Sequence, residues 1–261
     1  FTMDRMVASG LFAFALCVGM LVMLGLGRRI GDSQLAKDPE GARAGTGTIE
    51  AAVFALMGLL IAFSFSGAVS RFDDRRHLVV EEANAIGTAY LRLDLLPADT
   101  QPALRETFRQ YVQSRMEAYR KLPDFRAFTA GLAKATKIQK EIWTQAVAAS
   151  WAEGAAPSAQ VLLLPALNQM IDITTTRAMA FHLHPPLIIF GILFLVGLAS
   201  ALLAGYGMAG GKSRRWLHVV GFAVVIGLTV YVILDIEFPR SGLIRVDAFD
   251  QALVDLLQSM K

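Results

Sequence analysis

The chain has 261 residues, is 54% hydrophobic and only 18% charged, and carries a net charge of +3. With a mean hydropathy of +0.47, this composition excludes an ordinary soluble domain and makes a bilayer part of the solvent. The small basic excess does not point to nucleic acid, because Lys and Arg are scattered among acids and no aromatic and basic platform occurs.

Crossing ~30 Å of hydrocarbon takes about 20 apolar residues at 1.5 Å each. Four runs free of Asp, Glu, Lys and Arg reach that length: 6–26, 51–70, 186–206 and 216–234. In lipid every backbone polar group must be satisfied within its own segment, so these runs predict helices, not the short alternating strands of a barrel. The first is longer than the apolar core of a signal peptide and lacks a small-x-small cleavage pattern, so it is expected to be a retained span. It holds the single cysteine, Cys17, which leaves no intramolecular disulfide and no cysteine-built metal site within one chain.

Residues 27–48 are rich in glycine, charge and small side chains and predict a mobile loop. The second span ends in no breaker: proline is absent from 71 to 96, which predicts one helix of ~45 residues, roughly 70 Å long, leaving the membrane. Further helices are expected over 100–122, stopped by Pro123, over 124–152, stopped between Gly154 and Pro157, and over 158–184, interrupted by Pro165. The expected fold is thus an all-α membrane protein with four transmembrane helices and an extramembrane helical bundle. Its parts are 1–70, the first two spans and their loop; 71–184, the bundle; 185–237, the last two spans; and 238–261, a tail with a small amphipathic helix at 249–260. A short turn, 209–215, joins the last two spans.

Charge near the spans gives no orientation. Arg28, Arg29, Lys37, Arg43, Lys212, Arg214 and Arg215 on one side balance Arg5, Arg71, Arg75, Arg76, Arg177, Arg240 and Arg245 on the other.

Catalytic motifs are missing. The chain contains no GxSxG, no HExxH, no phosphate-binding GK[ST] loop and no GxGxxG after a strand, so no enzyme activity is expected. His182 and His184 stand two apart, a spacing that sends them to different faces of a helix, and with His218 they read as interfacial side chains; no metal and no other cofactor is expected. The spans carry no Asp, Glu, Lys or Arg, which argues against an ion-coupled transporter but leaves room for a pore with an apolar constriction.

The second span carries two adjoining stripes. Ala51, Ala55, Gly58, Ala62 and Ser66 form a small one; Leu56, Leu59, Phe63 and Gly67 form a bulkier one. Small residues let membrane helices pack closely, as Gly197, Ala201 and Gly205 would in the third span, whereas a bulky apolar stripe could line a pore; the spacing fits both. Beyond Ser70 the helix turns polar, with Asp73, Asp74, Arg75, Arg76, Glu81, Glu82, Asn84, Thr88 and Arg92. Few of these charges pair at i,i+4, so they are expected either to reach neighbouring helices or another subunit, or to form a solvated face.

The string FSFSGAVSRFDDRRHLVVEEANAIGTAYLRLDLLP (63–97), together with DIEFPRSGLIRVD (235–247), resembles the bacterial bestrophin-like membrane family. The resemblance covers nearly the whole chain in layout, and EEANAIGTAYLR is its specific part. Bestrophins proper are pentameric anion channels whose second span lines the pore with bulky apolar residues and then runs into an aromatic-Asp-Arg stretch, which Phe72, Asp73, Asp74 and Arg75 are similar to. The resemblance therefore implies a homo-oligomer, a pentamer, in a bacterial inner membrane. It implies a neck at Leu56, Leu59, Phe63 and Gly67, a mouth at Arg71, Asp74, Arg75, Arg76, Glu81, Glu82 and Asn84, and inorganic ions, anions by default, as cargo. Two departures stand out. Arg76 and His77 take the place of a tryptophan pair, and the acidic calcium-binding run of the tail is reduced to Asp235, Glu237, Asp247 and Asp250, so calcium activation is not implied. The rival expectation is a non-conducting membrane scaffold or sensor that binds a partner on an exposed polar surface of 124–152.

Overall fold

The computed structural model describes residues 2–38, 46–122, 124–211, 216–238, 243–244 and 250–260. Eight α-helices occur among them: α1 (Thr2–Lys37), α2 (Thr46–Leu91), α3 (Gln101–Arg120), α4 (Phe125–Ser150), α5 (Ala159–Ala180), α6 (Leu187–Gly207), α7 (Trp216–Glu237) and α8 (Gln251–Ser259). A single 3₁₀ turn, Arg92–Leu95, follows α2. Four of the helices, α1, α2, α6 and α7, are long and apolar enough to cross a membrane, and the protein is an all-α, multi-pass membrane protein. The chain divides into two compact units, Met3–Ser70 with His184–Phe238, and Arg71–Leu183 with Pro239–Lys261 and the first two residues.

In the unit of apolar helices, α1 and α6 approach until their backbones nearly touch. A Cβ built on Gly27 would lie 1.9 Å from the Leu202 carbonyl oxygen, and one on Gly205 would lie 2.1 Å from that of Leu24. Gly197, Ala201 and Gly205 are all buried, so the small stripe of the third span is a packing device, as lipid-embedded helices require where no hydrophobic effect drives them together. Phe12 packs on Phe194 with ring centroids 5.3 Å apart, and Phe54 on Phe222 at 5.9 Å.

The same approach corrects the expected loop at 27–48. Residues 27–37 continue α1 as helix because Gly27 and Gly31, which read as chain breakers, are contact points. A Cβ on Gly31 would meet the Ala209 Cβ at 2.6 Å. Asp32 accepts a hydrogen bond from the Gly210 amide at 2.8 Å, and Arg28 donates to the Gly211 carbonyl at 2.7 Å. Tertiary contact outweighs the low helix propensity of glycine here.

The other unit is amphipathic. α2 enters it without a break; at 46 residues the helix measures about 69 Å, far more than a bilayer core needs, so its polar part from Arg71 onward stands outside the hydrocarbon. Pro102 in the first turn suits the start of α3. The Asp124 carboxylate caps α4, accepting from the Arg126 and Ala127 amides at 3.0 Å each. α5 passes straight through Pro165, forgoing one backbone hydrogen bond, while Leu163, Ala166, Leu167 and Met170 around it are buried. α8 closes the unit, with Leu253 and Met260 in the core, Leu256 against Gly87, and the Met260 carbonyl accepting from Arg109 at 3.1 Å.

Several sequence expectations lie outside the described residues: Pro123 as a helix stop, Phe249 as the start of the last helix, Asp247, and the juxtamembrane Arg43, Lys212, Arg214, Arg215, Arg240 and Arg245, as does the side chain of Arg5. Two other members of that charge balance, Arg75 and Arg177, are buried and so cannot act as headgroup-facing charges.

Candidate functional site

Among the described residues, one face of α2 is left exposed along its length. In steps of three or four residues, Ile49, Ala52, Leu56, Leu59, Phe63, Ser66 and Ser70 are exposed in the apolar unit, and Asp74, His77, Glu81, Asn84, Thr88 and Leu91 are exposed in the other. Steps alternating between three and four bring side chains back to one line along a helix, the pattern that seams parallel helices in a supercoil. Phe63 is 67% exposed, Leu59 51% and Leu56 47%, so three of the four expected neck residues share this line. Gly67 is half-buried beside the buried Ala68 and stands off it. The small stripe of α2, Ala51, Ala55, Gly58, Ala62 and Ser66, is exposed too, and a Cβ on Gly58 would meet nothing within 4 Å. Unlike its counterpart in α6, it is left uncovered among the described residues.

The expected mouth residues separate into two groups. Asp74, Glu81 and Asn84 lie on the exposed line, and Arg71 and Arg76 are half-buried, Arg76 donating to Asp73 at 2.9 Å. Arg75 and Glu82 point inward. Arg75 is 3% exposed and donates to the carbonyls of Ala180 at 3.2 Å and Leu183 at 3.0 Å, binding the start of the polar segment to the end of α5. For these two, the expectation of a solvated mouth is replaced by an interior one.

Glu82 is fully buried and holds three helices together. Its carboxylate accepts from Arg115 of α3 at 2.5 Å on one oxygen and from Arg177 of α5 at 2.5 Å on the other. Arg177 also reaches Asp250 at 3.3 Å, just ahead of α8, and its guanidinium lies 3.7 Å from the centre of the Tyr119 ring. Burial alone would raise the Glu82 carboxyl, but the charges and hydrogen bonds of Arg115 and Arg177 outweigh it and hold the group below its ordinary 4.5. Burial pulls the Arg115 guanidinium down, yet the adjacent Glu82 carboxylate leaves it more basic than usual. Burial pushes the Tyr111 and Tyr119 hydroxyls up.

A carboxyl whose folded value lies below its unfolded one contributes stability that is complete above the unfolded value and is lost as pH falls through the folded one. The thermal midpoint of the detergent-solubilised chain is therefore expected to be level near neutrality and to fall only below about pH 4.5, with the Glu82→Gln variant losing that step. A wild-type and variant pair that declined in parallel would assign the acid transition to other carboxylates.

Arg115 and Arg177 were missed as partners of Glu82, although a signal existed. Glu82 interrupts the apolar row Val79, Ala83, Ile86, and Arg115 interrupts the row Leu104, Phe108, Tyr111, Val112, Ala118; one acid and one base set in apolar rows read as a buried pair. His184 is hydrogen-bonded to Glu237 at 3.0 Å, and its ring lies tilted against that of Phe238 with centroids 4.8 Å apart.

A family model described as the Bestrophin-like domain matches residues 12–248. No curated protein and no solved structure matches the chain.

Proposed function

We propose, because this chain belongs to the Bestrophin-like family, that copies of it assemble in a cell membrane as a ring, a pentamer by family analogy, whose second helices surround an ion pathway. The observation that carries the reading is the exposed line of α2. A bilayer alone would welcome its apolar part from Ile49 to Phe63 and water alone its polar part from Asp74 to Thr88. An axis shared by several copies of one continuous helix accounts for both parts, and for their common register. Leu59 and Phe63 then form an apolar neck that gates by wetting, and the chain is not an enzyme. Anions are what family analogy implies. Asp74 and Glu81 stand on the line while Arg75 is turned away, so this chain's mouth attracts anions less than a row of free arginines would.

The test is the assembly of the detergent-purified chain, viewed at a resolution that shows helices, followed by flux through reconstituted vesicles. A closed ring with Leu59 and Phe63 at its axis is expected, and Phe63→Ala should widen the neck and raise the flux. A monomer or dimer, or a ring with that line turned to lipid, would sink the pathway. It would favour the scaffold reading, for which α4 offers an exposed polar face bearing Arg126, Lys134, Lys137 and Lys140.

A further inference from the structure

We propose that the tip of the α3–α4 hairpin, through Arg120, Lys121 and Arg126, binds the headgroups of anionic phospholipids. The tip carries unspent charge. In this unit Arg75, Arg76, Arg92, Arg105, Arg109 and Arg177 each donate to a carbonyl or a carboxylate. Arg120, Lys121 and Arg126 are exposed, and among the described residues none has an acceptor. The acid of the tip, Asp124, is occupied by the amides of Arg126 and Ala127 that it caps. Three cations within seven residues thus face outward against one carboxylate, whose oxygen is turned to backbone amides, and leave the tip positive.

The apolar side of the tip says what lies opposite. Leu122, Phe125 and Phe181 are half-buried against a cluster that holds Tyr119 and Phe128, and the Phe181 ring lies 5.6 Å from that of Tyr119 and 6.2 Å from that of Phe128. Phe181 stands six residues before Leu187, where the apolar helix α6 begins. Six residues of chain reach at most about 20 Å, and the headgroup zone bounds the start of any span. The aromatic cluster under the tip is thereby joined to the start of a span by a short piece of chain. Cations beside aromatic and aliphatic side chains, this close along the chain to a span, are the composition that anionic leaflets attract. An acidic polypeptide would find the same charge, but nothing ties one to this end of the unit, whereas the bilayer is always there. The proposal rests on the four spans and not on ion conduction.

The test uses the full chain in a neutral detergent with two added lipids, dioleoylphosphatidylglycerol and dioleoylphosphatidylcholine, and reads the thermal midpoint at each lipid concentration. The anionic lipid is expected to act at a much lower concentration than the zwitterionic one, by roughly a hundred-fold if each cation contributes as a juxtamembrane one does. That preference should vanish at about 1 M salt, where screening reaches ~3 Å. The R120Q/K121Q/R126Q variant should lose the preference, while K137Q/K140Q, which removes charge farther along α4, should keep it. Equal action of the two lipids on the wild-type chain overturns the proposal, as does a preference that survives in the triple variant or is lost equally in the double one. Glycerol phosphate or polyglutamate matching the anionic lipid would also overturn it, because the phosphate or the charge alone would then suffice without a bilayer lipid. The salt arm needs no variant and so stands even if the triple variant folds poorly.

Discussion

Glu82→Ala is expected to remove about 3–5 kcal/mol from the stability of the extramembrane unit, the usual cost of deleting one partner from a buried ion pair. The size follows from what is left behind. Arg115 and Arg177 are 3% and 1% exposed, and without Glu82 both guanidiniums stay in the core, with the more distant Asp250 as the only carboxylate among the described residues still bonded to either of them. Truncation also opens a gap between α2, α3 and α5. The thermal midpoint of the purified chain measures the loss, and Glu106→Ala is the control. Glu106 is exposed and pairs with Arg109 at 2.7 Å, and solvent screening leaves such a pair contributing little. The triple replacement of Glu82, Arg115 and Arg177 by Leu, Met and Met should recover much of the loss, since apolar groups of similar volume often replace a buried ionic set at little cost. If Glu82→Ala proved as mild as Glu106→Ala, the unit would be held by its apolar core alone.

The second large effect is expected at Gly205. Gly205→Leu should separate α1 from α6 and cost more than the ~1–3 kcal/mol typical of overpacking, because the first atom added would stand 2.1 Å from the Leu24 carbonyl oxygen. The obstacle is backbone, so no rotamer relieves it. Folded yield in membranes and the thermal midpoint should both fall. Gly58→Leu makes the informative contrast: nothing lies within 4 Å of its Cβ, so a single chain tolerates it. Its effect should appear only in assembly, as a changed ring stoichiometry or a broken ring if α2 meets its copies there. A monomer upset equally by both changes would mean that the open face of α2 is packed in its own chain.

Much of this molecule was legible without coordinates because the bilayer imposes a strict rule. An uncharged run of about 20 residues has few options other than a spanning helix; the runs at 51–70 and 216–234 fall inside α2 and α7, and the run at 186–206 matches α6 to one residue. The missing breaker after Ser70 foretold that α2 would continue, since only proline or a strong cap ends a helix sharply. Glycine was the misleading signal. At Gly27 and Gly31 it read as flexibility because a sequence does not tell a glycine that loosens a chain from one that lets two helices touch, and here the contact with α6 decided the matter.

The candidate site was legible in part for the same kind of reason. Bulk and spacing placed Leu56, Leu59 and Phe63 on one line of α2, since helical periodicity is a local property. Which polar residues of 71–92 join that line was not local. The rotation of α2 against α3 and α5 turns Arg75 and Glu82 into the core and leaves Asp74 and Glu81 outside, although 74 and 75 are neighbours in the chain.

The sequence by itself determined the four apolar spans, the unbroken second helix and the family, because each is written in residues that are adjacent or regularly spaced. Only the tertiary structure decided which charges are structural. Glu82, Arg115, Arg177 and Asp250 come from four separate segments, and their pairing depends on helix packing that no local pattern encodes.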